Sequence, residues 1–167
     1  ILGAAVGGAL ALTGDAMQGM FRNPLACPSI TGVSSGAALG AVLAIYLGLA
    51  ARSVWALPLF AFSGGLLSAW TVYAVASRRG QVSLSLLLLA GVALSSMNLA
   101  LLSFVLSLAL ANYETGKQIV FWTLGGLDQS SWGLIQWSLP AMEAGSLAIM
   151  FYARELDALA LGELHAS

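Results

Sequence analysis

From residue 80 to residue 113 the chain carries no charged side chain, and Leu84, Leu86, Leu87, Leu88 and Leu89 follow one another almost without a break. A helix needs about 20 predominantly apolar residues to cross the hydrocarbon core of a bilayer. A run this long and this apolar predicts a membrane span. The same run holds Ser83, Ser85, Ser95, Ser96, Asn98, Ser103 and Ser107. A helix that only anchors has no use for so many polar groups. Function is therefore expected to run along it.

Composition points the same way. Of 167 residues, 59% are hydrophobic and 8% are charged. Soluble domains carry about 25% charged residues. Six basic and seven acidic side chains cannot cover this much apolar surface against water, so the solvent is lipid. A net charge of −1 offers nothing to a nucleic acid. Cys27 is the single cysteine and His165 the single histidine, which excludes an internal disulfide and the usual multi-His or Cys-rich metal centres.

The pattern predicts an all-α, polytopic transmembrane bundle. Spans are expected over residues 1–20, 30–51, 57–77, 83–111 and 132–152. Residues 119–127 are too few to cross and predict a short interfacial helix, with Trp122 at headgroup depth. Connections are short, so consecutive spans are antiparallel. Arg22, Arg78, Arg79 and Arg154 then fall on one side, Arg52 and Lys117 on the other, and the positive-inside rule makes the first side cytoplasmic. Residues 1–21 lack the basic start of a signal peptide and contain Asp15 and Gln18. The chain opens inside an apolar segment, which reads as a piece of a longer protein.

Packing faces can be read from spacing. Gly32, Gly36 and Gly40 form a repeated GxxxG pattern, and Gly3, Gly7, Ala11, Gly14 and Gln18 lie within about 80° of one another on a helix. Small side chains let helix backbones approach closely in lipid, so helix packing explains these glycines. The fourth span carries two polar stripes. Gly91, Ser95 and Asn98 share a face with Leu84 and Leu102; Ser85, Ser96, Ser103 and Ser107 lie roughly 120° away. Each serine alone is accounted for by a bond back to the carbonyl one turn earlier. Two stripes suit a helix placed between packed neighbours and a wet pathway.

Enzyme classes find little support. Gly32-Val33-Ser34-Ser35-Gly36 resembles a nucleophile elbow in its letters, yet no base accompanies it. Asp15 is the single aspartate inside a span, so a paired-aspartate protease is not indicated. Glu143 follows Pro140 by three residues in the fifth span, where a proline frees a backbone carbonyl and can kink the helix. Asp15 and Glu143 suit either buried polar contacts or a transport role. No GxxxxGK[ST] phosphate loop is present, so the chain itself does not hydrolyse ATP.

One resemblance is specific. Gly14-x-x-Met17-Gln18-Gly19, then Phe21-Arg22-Asn23-Pro24-Leu25-Ala26-x-Pro28, then Gly32-Val33-Ser34-Ser35-Gly36-Ala37 form a first block. Leu87-Leu88-Leu89-Ala90-Gly91-Val92-Ala93-Leu94, Phe121-Trp122-x-x-Gly125-Gly126-Leu127 with Trp132, and Leu159-Ala160-Leu161-Gly162-Glu163 follow. In this order they resemble the permease family of ABC importers for iron-siderophores, haem and vitamin B12, the FecCD type.

The resemblance implies a ten-helix permease, of which the five spans would be helices two to six. It works as a dimer, homo- or heteromeric, with ATP-binding cassette subunits that use the ATP and a periplasmic or lipoprotein substrate-binding protein. It sits in the bacterial cytoplasmic (inner) membrane. No cofactor is expected on this chain. The preferred cargo is an iron chelate, a siderophore or haem, with vitamin B12 as the alternative. A non-transporting membrane scaffold and a secondary transporter are the competing classes. The resemblance assigns Ser83, Leu84 and Ser85 to a cytoplasmic gate and Ser95, Ser96 and Asn98 to the translocation pathway. It assigns Leu161, Gly162 and Glu163 to the ATPase interface and Arg22, Asn23, Pro24 and Pro28 to the motif turn. Two positions depart from the family pattern. Cys27 stands where an acid is usual, leaving the turn without its capping acid, and Leu86 stands where arginine is frequent.

Overall fold

The structure is a computed structural model that describes residues 1–78, 81–126 and 132–161. The chain is all-α. Helix α1 covers Leu2–Phe21, α2 Val33–Tyr46, α3 Leu49–Arg52, α4 Ala56–Ala76, α5 Leu84–Ala109, α6 Tyr113–Leu124, α7 Trp132–Phe151 and α8 Ala153–Leu161. A 3-10 turn, Pro28–Thr31, leads into α2. Two compact units result, one of Ile1–Pro28 with Gly126–Ser167 and one of Ser29–Gly125.

In the first unit α1 packs against α7 and α8. α1 ends at Arg22, which takes a left-handed conformation (φ 47°, ψ 39°) and returns its backbone N–H to Gln18 and Gly19 carbonyls. The Asn23 side-chain oxygen then accepts the Leu25 N–H at 2.9 Å, and the Ala26 N–H reaches the Asn23 carbonyl at 3.0 Å. The turn is thus closed by Asn23 itself, so an acid at position 27 is not needed to close it.

In the second unit α2 lies along α4 and against α5. The α2–α4 seam is backbone on backbone. A Cβ added at Gly36 would strike the Ser68 hydroxyl and the Gly64 carbonyl; one at Gly40 would strike the Phe60 carbonyl, and one at Gly64 the Gly36 carbonyl. Gly32 is not the third member of that seam. It precedes α2 at φ 80° and faces Gly91 and Ser95 of α5. On α1, by contrast, a Cβ at Gly7 or Gly14 would meet nothing within 4 Å among the described residues.

The apolar core joins Val42 and Ile45 of α2, Leu102, Val105 and Ala109 of α5, and Ile119 of α6. The distribution of polarity is that of a lipid-facing protein. On α4, Ser68 is buried at 5% exposure while Trp70 stands 65% exposed, with Leu59, Phe62 and Leu66 also outward. α4 and α5 are both long and apolar enough to cross a membrane.

Two helices differ from expectation. The segment expected as one helix over 30–51 is divided: α2 has 14 residues, Gly48 turns at φ 68°, and α3 follows with four. The short helix expected over 119–127 begins earlier, at Tyr113, because the Asn112 side chain accepts the Glu114 and Thr115 N–H groups and starts it there.

Candidate functional site

α5 reaches its position through a small device that hydropathy does not register. Ser77–Arg78 pairs antiparallel with Gln81–Val82. The Ser83 N–H then donates to the Ala76 carbonyl at 3.2 Å, fastening the start of α5 to the end of α4. Ser83 caps α5, its hydroxyl accepting the Leu86 N–H at 3.4 Å. Ser83, Leu84 and Ser85 are all exposed, side by side on the first turn. The cue for the hairpin was the charged, glycine-bearing string Arg78-Arg79-Gly80 between two apolar runs.

The two polar stripes of α5 have opposite fates. Gly91 lies buried beneath the 3-10 turn, where an added Cβ would strike the Ile30 carbonyl. Asn98 is 5% exposed, and its side-chain amide donates to Ser35 Oγ of α2 at 3.2 Å and Ser68 Oγ of α4 at 3.1 Å. Ser35 in turn donates to the Gly32 carbonyl at 3.0 Å. Ser95 Oγ is buried and meets no hydrogen-bond partner among the described residues. This stripe holds helices together.

The second stripe faces outward. Ser85, Ser96, Ser103 and Ser107 are exposed. Ser96 donates to the Val92 carbonyl at 3.1 Å, the back-bond that lets a hydroxyl sit on an apolar helix at little cost. Of the three residues expected to line a pathway, then, Ser96 is on the open face, while Asn98 and the Ser95 hydroxyl are turned into the packing. Burying Asn98 requires hydrogen-bond partners, and Ser35 and Ser68 supply them. Spacing separated the stripes; it did not tell which one looked inward.

Elsewhere, Arg22, Asn23, Pro24 and Pro28 form the turn after α1. Leu161 ends α8, while Gly162 and Glu163, expected at an ATPase interface, lie outside the described residues. Asp15 borders a groove of about 240 Å³ between α1 and the end of α7 and α8, with Asp157 on the other wall and no basic side chain among the described lining residues. Glu143 is exposed on α7, one turn after Pro140, which the helix accommodates without ending.

Comparison with known proteins adds the following. A family model described as the FecCD transport family matches residues 1–167. The cobalamin import system permease protein BtuC of Halobacterium salinarum is 42% identical over 166 residues, covering 98% of this chain and 43% of that protein. The vitamin B12 import system permease protein BtuC of Escherichia coli is 37% identical over 161 residues, covering 96% of this chain and 48% of that protein. The chain thus spans about half the length of the curated relatives it matches. A solved structure, described as an inward-facing conformation of a metal-chelate type ABC transporter, superposes with a TM-score of 0.86 at 33% identity. It covers 97% of this chain and 50% of that one.

Proposed function

The chain belongs to the FecCD transport family, and from that membership we propose that it is part of the membrane permease of an ATP-driven importer of metal chelates in the cytoplasmic membrane. α1, the α2–α3 pair, α4, α5 and α7 act as its crossing segments. ATP is used by a separate cassette subunit, a second permease subunit completes the pathway, and a binding protein delivers cargo from outside. One observation carries the reading: α5 is apolar on most of its surface yet exposes Ser85, Ser96, Ser103 and Ser107 along one line. Hydroxyls spaced along a membrane helix offer a passing polar solute successive weak hydrogen bonds without holding it. Ser83, Leu84 and Ser85 form the cytoplasmic gate at the foot of this line. Small uncharged side chains close it without stripping water from an ion.

The cargo proposed first is cobalamin, because both curated relatives above are named for it. An iron-siderophore or haem stands second, within the same class of metal chelates. The test uses the full-length permease with its cassette and binding partners in vesicles. Uptake of labelled cobalamin should require ATP and be competed by unlabelled cobalamin. Uptake driven by a proton gradient without ATP would refute the importer class; ATP-dependent uptake of an iron chelate but not cobalamin would refute the cargo alone. Replacing Ser85 with Trp should block uptake while leaving insertion intact, and normal uptake by that variant would remove the gate from this position.

A further inference from the structure

We propose that Asn98 is a positioning residue: its paired hydrogen bonds to Ser35 and Ser68 fix the rotation of α5 about its own axis and so aim the exposed serine line. The proposal rests on the pathway reading for what is aimed, and on geometry alone for the aiming.

The first half of α5 meets the entry to α2 and its first turn on one ladder. Gly91 lies under the Ile30 carbonyl, Ser95 beside Gly32, and Asn98 against Ser35. The first two rungs are smooth. A glycine and a left-handed glycine meet there backbone to backbone, and the Ser95 hydroxyl engages nothing among the described residues. Those two rungs resist separation but give little against turning, and the apolar contacts further along, Leu102 and Val105 with Val42 and Ile45, are non-directional.

Asn98 supplies what the smooth rungs lack. It is buried where α2, α4 and α5 meet, and one amide group grips a hydroxyl on each neighbour at 3.2 and 3.1 Å. Two bonds to two different helices define an angle as well as a distance. The grip also continues past α5: the Ser35 hydroxyl donates a hydrogen bond to the Gly32 carbonyl, tying the knot to the φ 80° residue at the head of α2. On a helical wheel the exposed serines lie about 135° from the buried stripe, so any turn at Asn98 is transferred undiminished to Ser96 and Ser103.

The test uses the cysteine-free full-length permease with its partner subunits in vesicles. Single cysteines at Ser96 and Ser103 report water access through a membrane-impermeant methanethiosulfonate, and cysteines at Leu99 and Ala100 report the flanks, within about 60° on either side. Two backgrounds are compared with the parent: Asn98→Leu, and the triple Asn98→Leu, Ser35→Ala, Ser68→Ala. The triple leaves no hydroxyl without its partner and so keeps the fold where the single change does not. A second readout is independent of any pathway: oxidative cross-linking of cysteines at Val42 and Leu102, which belong to one buried cluster.

In folded variants we expect labelling to leave positions 96 and 103 and move to a flank, with loss of the 42–102 cross-link. Labelling and cross-linking both equal to the parent in the triple variant would overturn the positioning role. A cross-link that is lost while the parent's positions 96 and 103 never label would sustain the positioning role and refute the pathway reading instead.

Discussion

Gly64 and Gly65 are neighbours on α4, and alanine should have opposite effects at the two. Each substitution removes the backbone freedom of a glycine in a helix interior, a gain of about 0.5–1 kcal/mol. At Gly65 the new methyl would sit at 3.4 Å from Val33 Cγ1 and 3.5 Å from Ala37 Cβ, ordinary contact distances. The gain is kept, and Gly65→Ala should be more stable than the parent by up to about 1 kcal/mol. At Gly64 the methyl would run into the Gly36 carbonyl, which belongs to a helix backbone and cannot swing aside as a side-chain tip can. Restoring contact distance means parting α2 and α4 by about 1 Å, and a gap of that size forfeits a quarter to a half of each dispersion contact along the seam. Overpacking of this kind costs about 1–3 kcal/mol. Both variants share the backbone gain, so they should differ by the overpacking cost, about 1–3 kcal/mol. Because one separation of the helices makes room at both places, Gly36→Ala and Gly64→Ala together should cost less than the sum of each alone. Reversible unfolding of the permease in mixed micelles measures all four proteins. A Gly64→Ala variant as stable as Gly65→Ala would mean that α2 and α4 are not in backbone contact, and the seam described above would be wrong.

Three further changes address single features. Asn112→Ala removes the acceptor of two N–H groups at the start of α6 and should cost about 1 kcal/mol, seen as faster hydrogen exchange at Glu114 and Thr115 with the rest of α6 unchanged. Gly32→Ala imposes a side chain on a residue at φ 80° that already faces the Gly91 carbonyl; a loss of about 1–2 kcal/mol is expected, and an unchanged melting temperature would contradict the left-handed conformation. Ser95→Ala deletes a buried hydroxyl that engages no described partner, so stability should stay level or rise by up to about 1 kcal/mol, in contrast to the loss expected at Asn98 one turn away.

Much of the architecture was legible because membrane helices obey a simple length rule. The helices expected over 57–77 and 83–111 appear as Ala56–Ala76 and Leu84–Ala109. Their ends are marked by Pro58, by the Arg78-Arg79-Gly80 string and by the polar Asn112. The start of α6 was also written in the sequence, since Asn112 with Glu114 in the first turn is an ordinary helix beginning. The uncharged run hid it by suggesting one long span up to residue 111. Which polar stripe of α5 packs inward could not be read. In water a polar side chain faces out, but in lipid it goes wherever a partner waits. The partners of Asn98 stand 63 and 30 residues away, at Ser35 and Ser68, and no local pattern connects them.

The division of the second apolar segment has a consequence for how this protein fits its bilayer. Fourteen residues of α2 give a rise of about 21 Å, short of a hydrocarbon core of about 30 Å. A helix bathed in acyl chains would answer such a shortfall by thinning the membrane around itself. α2 has no such obligation, because Ser35, Gly36, Gly40, Ala41, Val42, Ala44 and Ile45 are all buried. From Ser35 to Ile45 it is packed mostly against protein, so over that length the shortfall need not be met by lipid. Within this unit hydrophobic matching is then left to α4 and α5, whose rises of about 31 and 39 Å suffice. Thickening the bilayer should strain those two helices first and reach α2 through the glycine seam with α4 and the Asn98 and core contacts with α5.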